Sequence, residues 1–331
     1  MIGLIGSGRI GRQHAVNISN HPRAELSAIA DPDISSATML AARFGARVLA
    51  EPRALIQDTS IDAVVIASPT ATHIDLITEC LGAGKHVLCE KPIDLDIARV
   101  DALWPKVEAS ETHVALGFNQ RFDPAFNDVH ARIARSEVGT LEHLSLISRD
   151  PSPPPLEYLS TSGGIFRDMT IHDFDLVRHF IGEIDEVSAF GSQLFDPGAR
   201  NVGDYDSVTV SLKARSGLTA NIFNSRHSSF GYDQRLEAFC SDGNIAVSNL
   251  DSSLVESSSA SGSGLKNGYV ESFLVRFDDA YRLEFDEFIK LLDSSESASP
   301  TFEDGREALH LANAALESAR DGRVVRVNAT S

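Results

Sequence analysis

The first 117 residues alternate between short apolar runs and helix-like segments, and this rhythm constrains the fold more than any other feature of the chain. A short apolar run followed by a helix with one apolar face is typical of a βα unit in a parallel sheet. Six such runs predict an α/β fold with a doubly wound parallel sheet of the Rossmann type. The predicted strands are Ile2–Ile5, Glu25–Ala30, Arg47–Leu49, Asp62–Ala67, Lys85–Cys89 and His113–Gly117.

Beyond Gly117 the apolar residues recur at every second position instead. In the run that contains Val208, Val210 and Leu212, these side chains fall on one face and polar ones on the other. This period of two is typical of an antiparallel sheet with one covered face. The second part of the chain is therefore predicted to be an α+β domain with an open, mostly antiparallel sheet, ending in two helices. We predict domains over residues 1–118 and 119–331, and an exposed loop over Ser252–Gly264.

A glycine motif, Gly6-Ser7-Gly8-Arg9-Ile10-Gly11, follows the first strand at once. Glycines allow a tight turn and let backbone N–H groups approach a pyrophosphate, which the N-terminus of the next helix favours. Asp31 ends the second strand, where a carboxylate can accept hydrogen bonds from both ribose hydroxyls of NAD and would repel the 2′-phosphate of NADP. The sequence therefore predicts NAD as the cofactor. Its predicted ligands here are Gly6, Gly8, Arg9, Ile10 and Asp31.

Two more loops leave predicted strands at the same edge of the sheet. Ser68-Pro69-Thr70 with His73 follows the fourth strand, and Glu90-Lys91-Pro92 follows the fifth. A hydroxyl in the first loop is also a good helix N-cap, and the two roles are compatible. The proline behind Lys91 restricts the lysine backbone to extended conformations, which aims its ammonium group at the ligand edge. We predict that these loops contact the cofactor through Ser68, Pro69, Thr70, His73, Glu90 and Lys91.

A second group of polar residues lies in the segment from Gly163 to Asp175. Asp168, His172, Asp175 and His179 recur at spacings of four, three and four, which place them on one stripe of a helix. A histidine with a carboxylate one turn away is a good general base, because the carboxylate orients the ring and stabilises its charged form. The stripe is equally typical of a solvated helical face. A metal site at Asp168 and His172 lacks an obvious third ligand.

Composition excludes several classes of partner. A formal net charge of −18 argues against nucleic acid and anionic membranes. No apolar run approaches the roughly 18 residues that a membrane span needs, and no signal peptide is recognisable at the N-terminus. Three isolated cysteines without metal-binding spacing fit a reducing compartment. We therefore expect a mature, cytoplasmic protein.

Together, Glu90-Lys91-Pro92, the glycine motif and the pair Asp168 and His172 resemble the glucose–fructose oxidoreductase/inositol dehydrogenase/MocA family. The likeness is greatest to its bacterial inositol 2-dehydrogenases and extends over nearly the whole chain. Further segments that carry it are Gly117–Asp123, Ser148–Pro151, Gly163–Asp175, Gly231–Asp233 and Ala280–Phe288.

The resemblance implies that Lys91, Asp168 and His172 are the catalytic residues. His172 is expected to take the proton from the substrate hydroxyl as hydride leaves its carbon for the nicotinamide. Lys91 is expected to hydrogen-bond that oxygen, and Asp168 to hold the histidine or the lysine in place. The implied substrate contacts are Lys91, Asn119, Gln120, Asp150, Asp168, His172 and Tyr232.

Two positions depart from the family pattern. Gln120 stands where inositol enzymes carry arginine, and Ser148 where some relatives have histidine. Glutamine still hydrogen-bonds a hydroxyl but brings no charge, which leaves the identity of the polyol open.

These features predict an NAD-dependent dehydrogenase that oxidises a ring hydroxyl of myo-inositol or a similar cyclic polyol and needs no metal. An aldose 1-dehydrogenase of the same family is the alternative. A non-catalytic, NAD-sensing regulator is a third hypothesis. Such a regulator is expected to lack the catalytic residues, whereas this chain has them. By the resemblance, residues 1–118 bind NAD, and residues 119–331 bind substrate and form a homotetramer.

Overall fold

The computed structural model describes residues 1–260, 262–293 and 300–327. The chain divides into two compact units. The first unit combines Met1–Phe122 with Asp279–Leu309, and the second combines Asp123–Asp278 with His310–Ser331. A compact unit is defined by contacts, whereas a domain is a unit of folding and function. The assignment of 1–118 and 119–331 to separate domains therefore stays a prediction.

The first unit contains a six-stranded parallel sheet with the strand order β3-β2-β1-β4-β5-β6. β1 and β4 are buried along their whole length, as expected of strands that helices cover on both faces. This confirms the doubly wound α/β prediction. The strands are β1 (Ile2–Ile5), β2 (Leu26–Ala30), β3 (Arg47–Leu49), β4 (Ala63–Ile66), β5 (His86–Glu90) and β6 (Val114–Gly117).

Helices follow these strands, and two short 3₁₀ turns, Thr70–Thr72 and Asn119–Phe122, lie after β4 and β6. A later helix, α12 (Asp278–Leu291), places Phe285, Phe288 and Ile289 in the same apolar core as Leu4 of β1. The other helices here are α1 (Arg9–Asn20), α2 (Ile34–Ala41), α3 (Pro52–Ile56), α4 (His73–Gly82) and α5 (Ile97–Glu108).

The second unit contains a seven-stranded sheet with the order β12-β11-β7-β10-β9-β8-β15. Neighbouring strands are antiparallel except β7 and β10, which run parallel. This confirms the mostly antiparallel prediction. Its strands are β7 (Leu141–Arg149), β8 (Ile184–Ser192), β9 (Ser207–Ala214), β10 (Thr219–Ser225), β11 (Asp233–Cys240), β12 (Gly243–Val247) and β15 (Val325–Arg326).

Strand register decides which residues of this sheet share a face. Ser148 of β7 pairs with Asn224 of β10 and with Gln234 of β11, and all three are buried. On the opposite face, Phe190 and Phe239 are exposed. The helices of the unit are α6 (Pro124–Ala134), α7 (Leu156–Leu159), α8 (Ile165–Asp168), α9 (Thr170–Ile181), α10 (Pro197–Asn201) and α11 (Phe273–Arg276). The last helix, α13 (Phe302–Asp321), has residues in both units and precedes β15.

The serine-rich stretch Ser252–Gly264 is exposed, as expected, but it is not a simple loop. Two short antiparallel strands, β13 (Glu256–Ser259) and β14 (Gly262–Lys266), cross it, while Ser261 lies outside the described residues. Serine and glycine favour strands poorly, so propensity did not predict this pairing. Among the described residues, no helix combines the length and the apolar character that crossing a bilayer requires.

Candidate active site

The glycine motif forms a tight turn after β1. Gly6 has a positive φ of 102°, and a side chain there would meet the carbonyl oxygen of Ala67 at 2.5 Å. A Cβ atom on Gly11 would lie 2.0 Å from the carbonyl oxygen of Gly6. Gly8 is different, because a Cβ there would have no neighbour within 4 Å. Gly6 and Gly11 therefore close the turn, while Gly8 leaves open space beside it.

The N-terminus of α1 faces this open space. The cap residue is Gly8, no side chain caps the helix, and Arg9 beside it is exposed. The first N–H groups of a helix need acceptors, and an anion satisfies them well. These features of the turn and the helix fit the pyrophosphate of a dinucleotide. Ile10, also predicted to contact the cofactor, is half-buried in the first turn of α1.

Asp31 lies directly after β2 and next to the glycine turn. Its Oδ2 accepts hydrogen bonds from the backbone N–H and the hydroxyl of Ser7, at 2.7 and 2.8 Å. Its Oδ1 accepts one from the N–H of Asp33 at 2.8 Å. These donors hold the carboxylate in one orientation while it stays partly exposed. The arrangement fits a carboxylate that receives ribose hydroxyls, as the sequence predicts.

His73 holds two loops of the cofactor edge together. Its Nδ1 lies 2.8 Å from the carbonyl oxygen of Pro92, and its Nε2 lies 2.8 Å from that of Ser68. The side chain is buried, and burial lowers the pKa of His73 from its ordinary value of 6.5. Both ring nitrogens face protein carbonyls, so this side chain connects the two loops, and its contact with the cofactor stays a prediction. The residues that it ties down, Ser68-Pro69 and Lys91-Pro92, are those of the two predicted loops.

Thr70 begins the 3₁₀ turn before α4 and is half-buried. The helix N-cap expected from Ser68 or Thr70 is absent, since neither the turn nor α4 has a side-chain cap. The hydroxyl of Ser68 instead lies 2.6 Å from that of Thr72.

Glu90-Lys91-Pro92 marks the end of β5. The Oε1 of Glu90 lies 2.8 Å from Nε2 of the buried His14, and a Cβ on Gly117 of β6 would meet the Glu90 carboxylate at 2.9 Å. Glu90 is thus turned into the unit and packed against β6. Lys91 comes next and is half-buried, and the peptide bond to Pro92 is cis. The lysine therefore lies at the carboxyl end of a central strand, where the sequence predicts it.

Asn119 and Gln120 form the start of the 3₁₀ turn after β6. Both are buried, at 2% and 5% exposure. Within the described part of the chain, the Nδ2 of Asn119 and the Oε1 of Gln120 have no hydrogen-bond partner. Buried polar atoms in proteins are almost always paired, and an exception indicates a missing partner such as a ligand. A ligand rich in hydroxyl groups supplies both the acceptor that Asn119 lacks and the donor that Gln120 lacks.

Asp168 and His172 lie on two consecutive helices of the second unit rather than on one. α8 ends at Asp168, and α9 begins at Thr170. The Oδ1 of Asp168 accepts a hydrogen bond from the hydroxyl of Tyr158 at 2.7 Å. Its Oδ2 accepts one from the guanidinium of Arg226 at 3.2 Å. His172 is half-buried one turn later. Both oxygens of the predicted catalytic carboxylate are therefore held by donors.

The stripe that contains these residues is not a solvated face, because Asp175 is only 1% exposed. Across residues 1–260, 262–293 and 300–327, no group of three or more His, Cys, Asp or Glu side chains is arranged to hold a metal ion.

A second carboxylate, Asp173, is buried on the sheet side of α9. Its Oδ1 accepts a hydrogen bond from the hydroxyl of Ser148 at 2.8 Å, and its Oδ2 accepts one from Nδ2 of Asn224 at 2.6 Å. Burial raises the pKa of Asp173 from 3.8 to about 6, the two hydrogen bonds oppose this, and the charge of Asp150 adds to it. One carboxylate thus ties α9 to two neighbouring strands.

Asp150 and Tyr232 interact electrostatically with this carboxylate. Burial raises the pKa of the Tyr232 hydroxyl well above its usual value, and the charges of Asp150 and Asp173 raise it further, while Arg276 lowers it. The backbone N–H of Asp150 donates to the carbonyl oxygen of Ser225 at 2.9 Å. The structure therefore groups two predicted substrate residues, Asp150 and Tyr232, around Asp173.

Sequence reasoning missed Tyr158, Asp173 and Arg226. Asp173 could have been found, because it shares the helical period of Leu176, Val177 and Phe180 and so falls on an apolar face. His73, which the sequence did predict, also falls on the apolar face of its helix, α4. Arg226 follows the buried end of β10 but gives no local sign of its partner, which lies 58 residues away.

Comparisons with known proteins decide the family. Residues 1–118 match the oxidoreductase family Gfo/Idh/MocA, NAD-binding Rossmann fold, and residues 126–246 match the Gfo/Idh/MocA C-terminal domain. The chain belongs to the Gfo/Idh/MocA family. It is an NAD-binding oxidoreductase of this family. The prediction from the glycine motif, Lys91 and the Asp168–His172 pair is thereby confirmed at this level.

Individual relatives match over the full length. The inositol 2-dehydrogenase of Rhizobium meliloti (strain 1021) is 42% identical over 98% of each chain. The crystal structure of a myo-inositol dehydrogenase from Corynebacterium glutamicum ATCC 13032 is 47% identical, covers 99% of each chain and has a TM-score of 0.95. The scyllo-inositol dehydrogenase from Lactobacillus casei with bound NAD(H) and scyllo-inositol is 27% identical, covers 98% of each chain and has a TM-score of 0.90.

Proposed function

We propose that this family member is an inositol dehydrogenase, which oxidises a ring hydroxyl of myo-inositol or a similar cyclic polyol to the ketone. The observation that carries the proposal is the set of polar groups prepared for hydroxyls. Asn119 and Gln120 bury polar atoms without a partner among the described residues. Separately, the second unit holds the carboxylate of Asp150 and the phenol of Tyr232. The similarity to proteins named inositol dehydrogenases supports the same substrate class.

In this proposal, NAD supplies the hydride acceptor, and the protein positions it. The uncapped N-terminus of α1 binds the pyrophosphate, and Asp31 binds the ribose. Because Ser7 and the Asp33 backbone already orient the Asp31 carboxylate, binding needs little rearrangement of this side chain. A fixed carboxylate also disfavours a 2′-phosphate by charge repulsion, so NAD is preferred over NADP.

The chain's own residues then manage the proton of the substrate hydroxyl. His172 removes it as general base, and the ring becomes cationic. Asp168, held by Tyr158 and Arg226, supplies a fixed negative charge that stabilises the imidazolium. Lys91 donates a hydrogen bond to the hydroxyl oxygen, which stabilises the negative charge that develops there as the proton leaves. Gln120 binds a neighbouring hydroxyl as a neutral group.

Turnover of defined substrates tests the proposal. The purified chain is incubated with NAD and either myo-inositol, scyllo-inositol, glucose or galactose, and the absorbance of reduced cofactor is followed. Oxidation of an inositol with higher kcat/KM than either aldose supports the assignment. Turnover of the aldoses alone would identify an aldose 1-dehydrogenase instead, and no turnover at all would reject the polyol-oxidising activity.

His172→Ala tests the general base. We expect kcat to fall by about 10²- to 10⁴-fold because no other group takes the proton, while the Kd for NAD stays at the wild-type value. His179→Ala removes a histidine from the same helix and serves as the matched control, with kcat near that of the wild type. A His172→Ala protein with wild-type kcat would contradict the assignment.

We also propose that residues 119–331 bind substrate and assemble the chain into a homotetramer in a reducing, cytoplasmic setting. The exposed Phe190 and Phe239 on the open face of the second unit's sheet support burial of this face against other copies. The three free, buried cysteines Cys80, Cys89 and Cys240 support the reducing setting. Light scattering measures the assembly, and a monomer mass would reject it.

A further inference from the structure

Arg226 is one of the most deeply buried side chains in the second unit. It follows β10, is 1% exposed, and its backbone N–H donates to the carbonyl oxygen of Asp206 at 2.9 Å. Its Nη1 donates to Oδ2 of Asp168 at 3.2 Å, and its Nη2 donates to Oδ2 of Asp204 at 3.5 Å. Burying a guanidinium is costly unless carboxylates compensate its charge. Here two carboxylates do so, and one of them is the predicted catalytic Asp168.

The second carboxylate ties this arginine to the start of α8. The Oδ1 of Asp204 accepts a hydrogen bond from the backbone N–H of Ile165 at 3.0 Å. Gly164, just before, leaves room for it, since a Cβ there would lie 2.8 Å from the same oxygen. Asp168 is the last residue of this short helix. Arg226 therefore connects the first residue of α8, through Asp204, to the carboxylate at its end.

Tyr158 completes the set of donors around Asp168. Its hydroxyl donates to Oδ1 at 2.7 Å, while Arg226 holds Oδ2. The ring of Tyr158 is 46% exposed on α7. With a donor on each oxygen, the carboxylate has one favoured orientation, and the adjacent positive charge favours its ionised form.

We infer that Arg226 is a positioning residue for the dehydrogenase reaction, which keeps the carboxylate of Asp168 ionised and oriented so that it can stabilise the protonated form of His172. Tyr158 assists by fixing the other oxygen. The inference rests on the proposed function, because it gives Asp168 its role beside the general base. It assigns a part in the reaction to an arginine that is 1% exposed and acts through Asp168.

Substitutions of Arg226 test this directly in the full-length enzyme. Arg226→Met removes the charge at similar length, and Arg226→Lys keeps it. For Arg226→Met we expect kcat with inositol to fall at least about tenfold, part of the 10²–10⁴ that general-base catalysis provides. Arg226→Lys should restore most of the lost kcat, which a merely structural role would not require, and the Kd for NAD should not change.

Asp204→Asn separates charge from packing. This change removes the second anion beside Arg226 but leaves the pair of Arg226 and Asp168, so kcat should stay within about twofold of the wild type, although the protein loses stability. A much larger fall of kcat for Arg226→Met than for Asp204→Asn supports the inference. Equal falls, or an Arg226→Met enzyme with kcat within about twofold of the wild type, would overturn it.

If Arg226→Met does not fold, Tyr158→Phe tests the same inference through the other donor to Asp168. It removes one exposed hydroxyl, so the melting temperature should stay at the wild-type value while kcat falls by about three- to tenfold. An unchanged kcat for Tyr158→Phe would count against the orientation of Asp168 by its donors.

A measurement that needs no substrate tests the role of Arg226 independently of the proposed function. In a double-mutant cycle, urea unfolding of Arg226→Met, Asp168→Asn and the double variant gives the coupling between the two side chains, because each single change removes their ion pair. Failure of the wild type to oxidise any polyol rejects the proposed function only. Absence of coupling rejects the role of Arg226, whatever the substrate.

Discussion

The two units of this protein hold the polar groups of the candidate site in different ways. In the first unit, the groups are backbone amides at the N-terminus of α1 and side chains at the carboxyl ends of parallel strands. In the second unit, they are carboxylates that other buried side chains hold, such as Asp168 with Arg226 and Asp173 with Ser148 and Asn224. The first arrangement depends on close backbone packing, and the second on the compensation of buried charge.

This difference predicts which substitutions and conditions should weaken each unit. A backbone-built site should fail when a side chain is added, since there is no space for it. A site built from buried carboxylates should respond to pH and to the loss of a partner, since ionisation and pairing decide its energy. The following predictions test this contrast.

The largest effect is expected for Gly11→Ala. The new methyl group would lie 2.0 Å from the carbonyl oxygen of Gly6, so the turn must open. We expect the free energy of unfolding to fall by about 3 kcal/mol, measured by urea denaturation, and NAD binding to be lost. Gly8→Ala is the matched control, because its methyl group meets no protein atom within 4 Å. It should leave the unfolding energy unchanged and weaken NAD binding only. Equal effects of the two substitutions would contradict the backbone-built description.

The next effect is a pH dependence of the free energy of unfolding, which arises at Asp173 in the second unit. Burial raises the pKa of Asp173 from 3.8 to about 6, so the native state binds this proton more tightly than the unfolded chain. The resulting stabilisation is fully present below about pH 4 and is lost as the pH rises through about 6. Asp173→Asn should therefore be more stable than the wild type at pH 8, by up to about 3 kcal/mol, with no difference near pH 4. Urea unfolding at both pH values measures this.

Ser148→Ala should change the stability at pH 8 in the opposite direction to Asp173→Asn. The hydroxyl of Ser148 donates to the charged form of Asp173, so its loss should cost about 1–2 kcal/mol at pH 8 and less at pH 4. If the stability of Asp173→Asn relative to the wild type did not depend on pH, the description of Asp173 as a destabilising buried charge would be wrong.

The smallest effect is expected for Asp31, the carboxylate that is predicted to bind the ribose of NAD. Asp31→Asn keeps the shape of the side chain and removes its charge, so the preference for NAD over NADP should relax by about tenfold. Calorimetric titration of both cofactors measures the ratio. Asp33→Asn is the control, because the Asp33 carboxylate caps α2 through the N–H of Ser36. It should leave the ratio unchanged, and an equal change in both variants would remove Asp31 from this role.

Local patterns predicted much of the first unit. The glycine motif, Asp31 and Lys91 each follow a predicted strand directly, and the carboxyl ends of parallel strands meet at one edge, so adjacency in sequence is enough to place them. The same reasoning suggested His73 as a cofactor ligand, which stays a prediction. It did not predict that the ring of His73 lies between the carbonyls of Ser68 and Pro92, on the buried side of α4.

The second unit was less predictable. Alternation gave its strands, but not the parallel pairing of β7 and β10 that places Ser148 beside Asn224 under Asp173. The stripe of Asp168 and His172 was visible, yet its charge compensation by Arg226 was not. Periodicity reports which face of an element is buried, and it does not report which distant residue the face meets.

By itself, the sequence determined the doubly wound sheet, the glycine turn, the NAD-binding character of the first unit and the positions of Lys91, Asp168 and His172 along the chain. These depend on local periodicity, on backbone freedom at glycine and on strand ends. Only the tertiary structure decided that Asp279–Leu309 joins the first unit, that His73 connects two loops and that Arg226 holds Asp168. Such contacts join residues far apart in the chain, and their energy comes from burial and charge pairing that exist only once the chain has folded.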